Sequence, residues 1–469
     1  MSRIPWTKFQ DFYLRLGFLK TLVAALSPQR RSALNDAIVR RLEVPLFDAA
    51  PTHARLWASV QPRISWYPRR TAAGRTIEYP EVAEALLVYG GNESLLYGVT
   101  RDTTYKILDW GHNVEFVGRG NQITERGLLL RHLLPEKAVE SFLAGDVLAW
   151  NPFGLSLKER LFFLYHLVEI DRVTVEIIDF LEDAEPGEIL ESSAAARITC
   201  RALFRVLDGA KDKIEPRDIP AYRTARELAC TIAEELGLTE YEAEYAGQSR
   251  RRVPKPLKSA ARKSAFLTGS GAKKPRKTTK NADHQTIPRF EQLVDLGFLD
   301  KVPQENSSGE AALLEGRRRW RYTPTRACRR WAKAMRQSDQ ARLPFQWHSF
   351  ARMAVFAFAE GNEETPRMSP PAGLLADYLW TAYQRVHRPI GHTPFDSVAL
   401  HAMIEAAADG VVAEMTDFHA LMMAIKKQSA LPEHAFFASG NDLDKMFIQL
   451  KSGFRERVRA VPMLLEGAR

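Results

Sequence analysis

The chain has 469 residues, 45% hydrophobic and 26% charged, enough apolar material for buried cores in roughly three or four domains. Three widely separated cysteines (Cys200, Cys230 and Cys328) argue against a disulfide scaffold or a cysteine zinc site and fit a reducing compartment. The net charge of +9 is concentrated: residues 250–280 hold twelve Lys/Arg and no Asp/Glu, leaving 54 bases against 57 acids elsewhere. Charge gathered in this way usually marks a site for a polyanion.

Near the N-terminus, Trp6, Phe9, Tyr13, Leu16, Leu19, Val23 and Leu26 recur at helical spacing, interrupted by Lys8, Asp11, Arg15 and Lys20. Interrupting charges predict a core helix rather than a secretion signal. No apolar run reaches the roughly 18–20 residues of a membrane span, so a cytoplasmic protein without membrane contact is expected. Residues 1–75 form the first predicted region, helical and then rich in Pro, Trp and Arg.

The stretch LDWGHNVEFVGRGNQITERGLLL (108–130) changes period. A helix is predicted to stop at Gly111. Val114 and Phe116 then alternate with Asn113 and Glu115, as in a half-buried strand. Gly118-Arg119-Gly120-Asn121 tolerates the positive φ of a tight hairpin tip. Ile123 begins the return strand, Thr124 can cap a new helix, and Gly127 permits close packing. The predicted order over 76–135 is helix, small hairpin, helix.

Residues 136–215 predict a helical domain. Ser156-Leu157-Lys158-Glu159 has the form of a capping box, and Asp171 can cap the helix after it. Glu169 to Glu191 carries nine acids and one base. That face is expected to be solvated, or else to fold back on the basic segment. Residues 222–246 predict two helical pieces, the first ended by Gly237. In the next segment Arg250, Arg251, Arg252, Lys255, Lys258, Arg262, Lys263, Lys273, Lys274, Arg276, Lys277 and Lys280 lie among Gly, Ser and Pro. Too little apolar surface is present to offset ordering entropy, so 250–282 is expected to be a mobile loop until an anion binds.

TIPRFEQLVDLGFLDKV (286–302) repeats the earlier grammar. Thr286 is the expected cap, Pro288 falls in the first turn, and Gly297 ends the helix. A strand follows, then a polar tip with Arg317, Arg318 and Arg319. Arg321 lies on the returning strand, which leads into another helix. This makes 216–338 a second module with the basic loop inserted, and 339–469 is expected to be a helical C-terminal domain.

Helix, hairpin, helix with this LxxG…ITERG wording resembles the winged helix-turn-helix domains of prokaryotic DNA-binding regulators. The resemblance implies a mainly α, multidomain protein with two winged-helix modules carrying small β-hairpin wings. It makes 94–110 a recognition helix with Arg101, Thr103, Thr104 and Lys106 exposed, and puts Arg119 at the wing tip. In the second module it gives Arg289 and Gln292, one turn apart, the reading of bases, and makes Arg317, Arg318, Arg319 and Arg321 wing cations. Winged helices also serve as protein-binding modules.

Lys and Arg bind a duplex mainly by releasing condensed counterions, whereas base reading needs contacts such as Arg to guanine or Gln to adenine. Trp320 and Tyr322 can stack on unpaired bases or simply pack as alternate residues of a half-buried strand. Catalytic signatures are missing: there is no P-loop, GxGxxG after a strand, HExxH or GxSxG. His387 and His392 flank a proline turn, and His401 with Glu405 reads as an ordinary exposed pair. Glu176, Asp179, Glu182 and Asp183 lack the nearby lysine of a nuclease centre. The arginines around Cys328 can lower its pKa, but no histidine partner is evident.

The expectation is a non-enzymatic, nucleic-acid-binding subunit or sensor of a prokaryotic multi-protein complex, favouring duplex DNA and needing no cofactor or metal. Antiviral defence or genome maintenance would suit it, although no motif names either. A plasmid-type replication initiator and a protein adaptor are the alternatives.

Overall fold

A computed structural model describes residues 16–26, 108–118, 122–143, 149–150, 154–184, 189–211, 214–238, 280–303, 313–314, 317–318, 320–337, 349–358, 367–368, 370–387, 393–427, 436–438 and 446–459. The described chain is mainly helical, with a few short strands. It divides into two units. The first comprises Met1–Phe18, Val39–Asp109 and His166–Arg329, and the second Leu19–Ile38, Trp110–Tyr165 and Arg330–Arg469. No helix among the described residues is long and apolar enough to cross a membrane.

In the first unit the helix Ser192–Ala210 is the hub. Its small residues Ala195, Ala196 and Ala202 are buried beside Leu203 and Phe204, which lets several neighbours approach it closely. Helices Arg172–Glu182, Ile219–Glu235 and Lys280–Asp295 all pack on it. A three-stranded antiparallel sheet completes the unit. Trp320–Pro324 lies between Leu190–Glu191 and Leu299–Pro303, with Tyr322 opposite both Leu190 and Lys301.

Two glycine stops in this unit fall where the sequence predicts them. Gly237 and Gly297 have φ of +64° and +78°. Leu238 donates to the Ala233 carbonyl and Phe298 to the Leu293 carbonyl, both at 2.8 Å. This closes each helix with a left-handed glycine and a six-to-one hydrogen bond. The start of the 280–295 helix differs from expectation. It opens at Lys280, six residues before Thr286, so Pro288 lies inside the helix. The cap comes from a distant carboxylate: Glu235 accepts from the backbone N–H of Ala282 at 3.0 Å and of Asn281 at 3.4 Å. Sequence-local capping rules cannot see a partner 47 residues away.

In the second unit Phe395–Ala408 is buried almost all round, as its low polarity requires. Helices Phe350–Phe358, Ala372–Val386, Met415–Lys427 and Glu125–Leu133 surround it. Two small sheets lie in the same unit. Met446–Ile448 pairs antiparallel with Thr393–Pro394 and Phe436–Ala438, and Arg367–Met368 runs parallel to Val411–Val412. The predicted capping box is present in both halves: Ser156 N–H donates to Glu159 Oε2 at 2.7 Å, and Glu159 N–H to Ser156 Oγ at 3.3 Å.

The N-terminal core helix is described over Leu16–Ala25. Lys20, expected to interrupt its buried face, is itself buried. Its ammonium is 2.9 Å from Glu159 and donates to the Gly154 carbonyl at 2.6 Å. The opening stretch is also tighter than predicted. Residues 108–113 are helical, so the helix runs past Gly111. Gly111 makes room for its neighbours instead: a Cβ there would lie 2.3 Å from Leu22 Cδ2 and 2.9 Å from Val117 Cγ2. Val114 and Phe116 are buried and Asn113 and Glu115 exposed, as the alternation predicts, but 114–116 is a turn with Glu115 at φ +61°. The hairpin reduces to one bridge, Val117 to Ile123. Thr124 caps the next helix by accepting from Gly127 N–H at 3.2 Å. A Cβ on Gly127 would lie 2.5 Å from the Phe116 carbonyl oxygen, so the expected close approach is real.

Candidate nucleic-acid interface

The basic segment 250–279 lies outside the described residues, as do the eleven residues before it. The chain leaves the 219–235 helix at Gly237 and Leu238 and returns at Lys280. The Glu235 carboxylate joins these points, accepting from Asn281 Nδ2 at 2.7 Å as well as from the two backbone amides. The 219–235 and 280–295 helices also pack against one another. The helices that precede and follow residues 239–279 are therefore tied to one another within the first unit. Of its predicted cations only Lys280 is described, as the first residue of the returning helix.

The predicted base readers sit elsewhere. Arg289 and Gln292 are both 0% exposed. The Arg289 guanidinium takes both oxygens of Asp171, Nε at 2.8 Å and Nη2 at 3.3 Å, and donates to the Gln285 carbonyl at 2.8 Å. This corrects the expectation that these side chains face a groove. The helix spacing that puts Arg289 and Gln292 on one face is real, but that face is turned into the core. The sequence could not show that an acid 118 residues upstream awaits the arginine. Asp171 in turn makes no side-chain cap for its own helix. It is bound instead by Arg289 and by the Thr174 hydroxyl at 2.9 Å.

The acidic face is correspondingly less solvated than expected. Glu176 and Asp179 are bridged by Arg205 at 3.1 and 2.6 Å. Burial raises the Glu176 pKa, and the neighbouring Arg172 and Arg205 work against that rise.

The second hairpin is present. Strands 299–303 and 320–324 pair in register, and the tip folds into a further pair, Leu313 opposite Arg318 and Leu314 opposite Arg317. Arg321 is half-buried opposite Val302, and Arg319 lies outside the described residues. Lys301 is buried against Glu291, and the Tyr322 hydroxyl donates to the same carboxylate at 3.3 Å. Tyr322 also packs on Phe290 with ring centroids 4.9 Å apart. Tyr322 is thus a core residue, and this buried ion pair fixes the hairpin to the 280–295 helix. In the first module Arg101, Thr103, Thr104, Lys106 and Arg119 all lie outside the described residues.

No family model, curated protein or solved structure matches the chain.

The remaining chemistry-bearing candidates resolve as structure. Burial pushes the Cys328 thiol up to about 12, outweighing Arg329, so the arginine-rich surroundings do not activate it. His401 and Glu405 are buried rather than exposed. His401 Nε2 is 2.9 Å from the Leu129 carbonyl oxygen, and the Glu405 carboxylate is held by both Lys158 and Arg385. His387 is exposed at the end of the 372–386 helix, and His392 lies outside the described residues. Among the described residues no group of three or more His, Cys, Asp or Glu is placed to hold a metal ion.

One cationic element was legible in the sequence but not singled out there. The helix Arg326–Gln337 (RACRRWAKAMRQ) follows the second hairpin directly. Its apolar positions Cys328, Trp331, Ala332 and Met335 are buried, and its other face carries five bases and no acid. The signal was the complementary spacing of bases and apolar residues, each set at helical period.

Proposed function

We propose that this protein is a non-enzymatic, nucleic-acid-binding subunit that docks on duplex DNA through charge, with protein partners supplying what it lacks. The observation that carries the reading is the pairing of charge and anchorage. Twelve bases without an acid occupy 250–280, and Glu235 ties the helix that precedes this part of the chain to the first turn of the helix that follows it. A tethered cationic segment raises the local concentration of counter-charge beside a folded unit. The helix–hairpin–helix order of the 280–337 region supports the winged-helix resemblance. Burial of Arg289 and Gln292 removes base reading from that helix, so the proposed binding is sequence-tolerant. The replication-initiator alternative, which needs base reading, loses that support.

The test is binding of the full chain to random-sequence duplex over a salt series, beside a variant whose residues 250–279 are replaced by a short Gly/Ser linker. Six engaged cations give a slope of log affinity on log salt of about −5, from about −0.9 per phosphate neutralised. The variant should lose most of that slope. An unchanged slope rejects the segment as the docking element. Failure of the intact chain to bind any duplex at low salt rejects nucleic-acid binding in favour of a protein adaptor.

A further inference from the structure

We infer that Cys200 and Cys230 form a modification site, a thiol pair that a hydroperoxide closes into a disulfide between the helices Ser192–Ala210 and Ile219–Glu235. The inference stands apart from duplex binding and does not rest on it.

Both helices belong to the first unit and pack on one another. Two contacts fix their register. The Arg226 guanidinium lies over the Phe204 ring, 5.9 Å from its centroid, and the Cys200 thiol is 4.0 Å from the Ala229 carbonyl oxygen. The chain moves back along the first helix as it moves forward along the second, so the two run antiparallel. One turn back from Phe204 is Cys200, and one turn on from Arg226 is Cys230. Residues one turn apart share a helix face, so the contact of Phe204 with Arg226 brings Cys200 opposite Cys230 on the same flank.

Small residues let the backbones approach. Cys200 lies one turn from the buried Ala196, and the other helix buries Ala225, Ala229 and Ala233 at successive turns. Helices that meet through such residues sit at the short end of the usual range, about 8 Å between axes. With Cα atoms about 2.3 Å from each axis, the facing backbones come within roughly 3–4 Å. A residue at the flank of that seam, as Cys230 is beside Ala229, then falls in the Cα separation of about 4.4–6.8 Å that a disulfide spans.

Exposure assigns the roles. Cys200 is buried and Cys230 half-buried, so an oxidant in water meets Cys230 first. The Cys230 thiolate attacks the peroxide: the S–O bond forms, the O–O bond breaks, and the leaving alkoxide or hydroxide takes a proton. The sulfur becomes a sulfenic acid, oxidised by two electrons, and the peroxide becomes an alcohol or water. Cys200, as thiolate, then attacks that sulfur. The S–S bond forms, the S–O bond breaks, and hydroxide leaves as water with the Cys200 proton. Burial pushes the Cys200 thiol up to about 12, and the neighbouring Cys230 adds to the rise while Arg201 opposes it. Only about one Cys200 in 10⁵ is then a thiolate at neutral pH. A partner held in place offsets that scarcity, with an effective concentration on the order of 10⁵ M or more. The closed pair ties the hub helix to the helix whose Glu235 caps Lys280–Asp295. In a reducing compartment it rests as two thiols and closes only under oxidant.

The experiment treats the reduced full chain with equimolar hydrogen peroxide, blocks the remaining thiols with iodoacetamide and maps unreduced peptides by mass spectrometry. A 200–230 linked peptide that dithiothreitol abolishes is expected, from chains that run singly on a non-reducing denaturing gel. Cys200→Ala should halt Cys230 at the sulfenic acid, labelled by dimedone, and Cys230→Ala should show neither label nor link. After catalase removes the peroxide, loss of dimedone labelling in the wild type should quicken about tenfold per pH unit, as the Cys200 thiolate fraction does. A pH-independent rate overturns Cys200 as the attacking thiol. A link through Cys328, a link between two chains, or oxidation of Cys230 without a 200–230 link overturns the proposal, as does failure of both thiols to react. The wild-type map decides the matter even where a variant does not fold.

Discussion

Glu414 shows how one side chain can set a pH response. Its carboxylate accepts from the backbone N–H groups of Ala351 and Arg352, both at 2.9 Å, and caps the 350–358 helix. It is 6% exposed, and burial pushes its pKa up to about 7 from 4.5 against the pull of those two hydrogen bonds. A carboxyl whose folded pKa is raised binds its proton more tightly when folded. Stability from this group is therefore full below pH 4.5 and falls as pH rises towards 7. The loss is on the order of 3 kcal/mol, at about 1.36 kcal/mol per pKa unit. His132 and His419 run the other way, because burial lowers both pKa values and favours folding above the imidazole range. Urea unfolding at pH 5 and pH 7.5 should show the Glu414 contribution as a difference between wild type and Glu414→Gln. Equal pH dependence in the two proteins rules it out.

Arg289 makes the matching argument for charge. With both Asp171 oxygens and the Gln285 carbonyl as acceptors, the guanidinium is compensated only while all of them are present. Removing one partner of such a buried pair costs about 3–5 kcal/mol. Asp171→Ala and Arg289→Ala should each lower the urea midpoint by that equivalent, and Arg289→Lys should not fully restore it because the fork is lost. Duplex binding by the folded fraction should keep its salt slope in all three. A lost slope with unchanged stability would return Arg289 to the interface.

At the scale of elements, what was legible depended on how far away the deciding partner lay. The Ser156–Glu159 box, the Thr124 cap and the Gly237 and Gly297 stops were readable because donor and acceptor lie within about five residues of each other. The second hairpin was readable because its strands flank a single polar tip. Partners far along the chain defeated the reading. The 280–295 helix starts early because Glu235 reaches its first amides, and Asp171 abandons its cap for Arg289. Lys20 read as an interruption of the apolar run, and its partner Glu159 lies 139 residues further along the chain. Among the candidate site residues, charge density was visible and orientation was not. A periodic pattern fixes which residues share a face, but only packing decides which way the face turns.

At the scale of the molecule, the chain passes between the two units five times, and the crossings at 18–19, 165–166 and 329–330 fall inside the helices Leu16–Ala25, Leu157–Ile170 and Arg326–Gln337. No glycine, proline or shift of composition marks a crossing inside a helix. The basic segment is the opposite case, conspicuous in composition. Between Leu238 and Lys280 lie 41 residues. Their closure entropy grows only slowly with length, at about 0.6 kcal/mol per doubling. Replacing 250–279 by a linker of a few residues should therefore leave unfolding of the first unit unchanged or raise its stability by up to about 1 kcal/mol. Loss of repulsion among the removed cations acts in the same direction. Glu235 caps the 280–295 helix, so Glu235→Ala should lower stability by about 1 kcal/mol, as removal of a helix cap does. Urea titration followed by tryptophan fluorescence checks both. A linker variant destabilised by several kcal/mol would mean that the segment packs into the core, and its cations would then need a structural explanation instead of a polyanion.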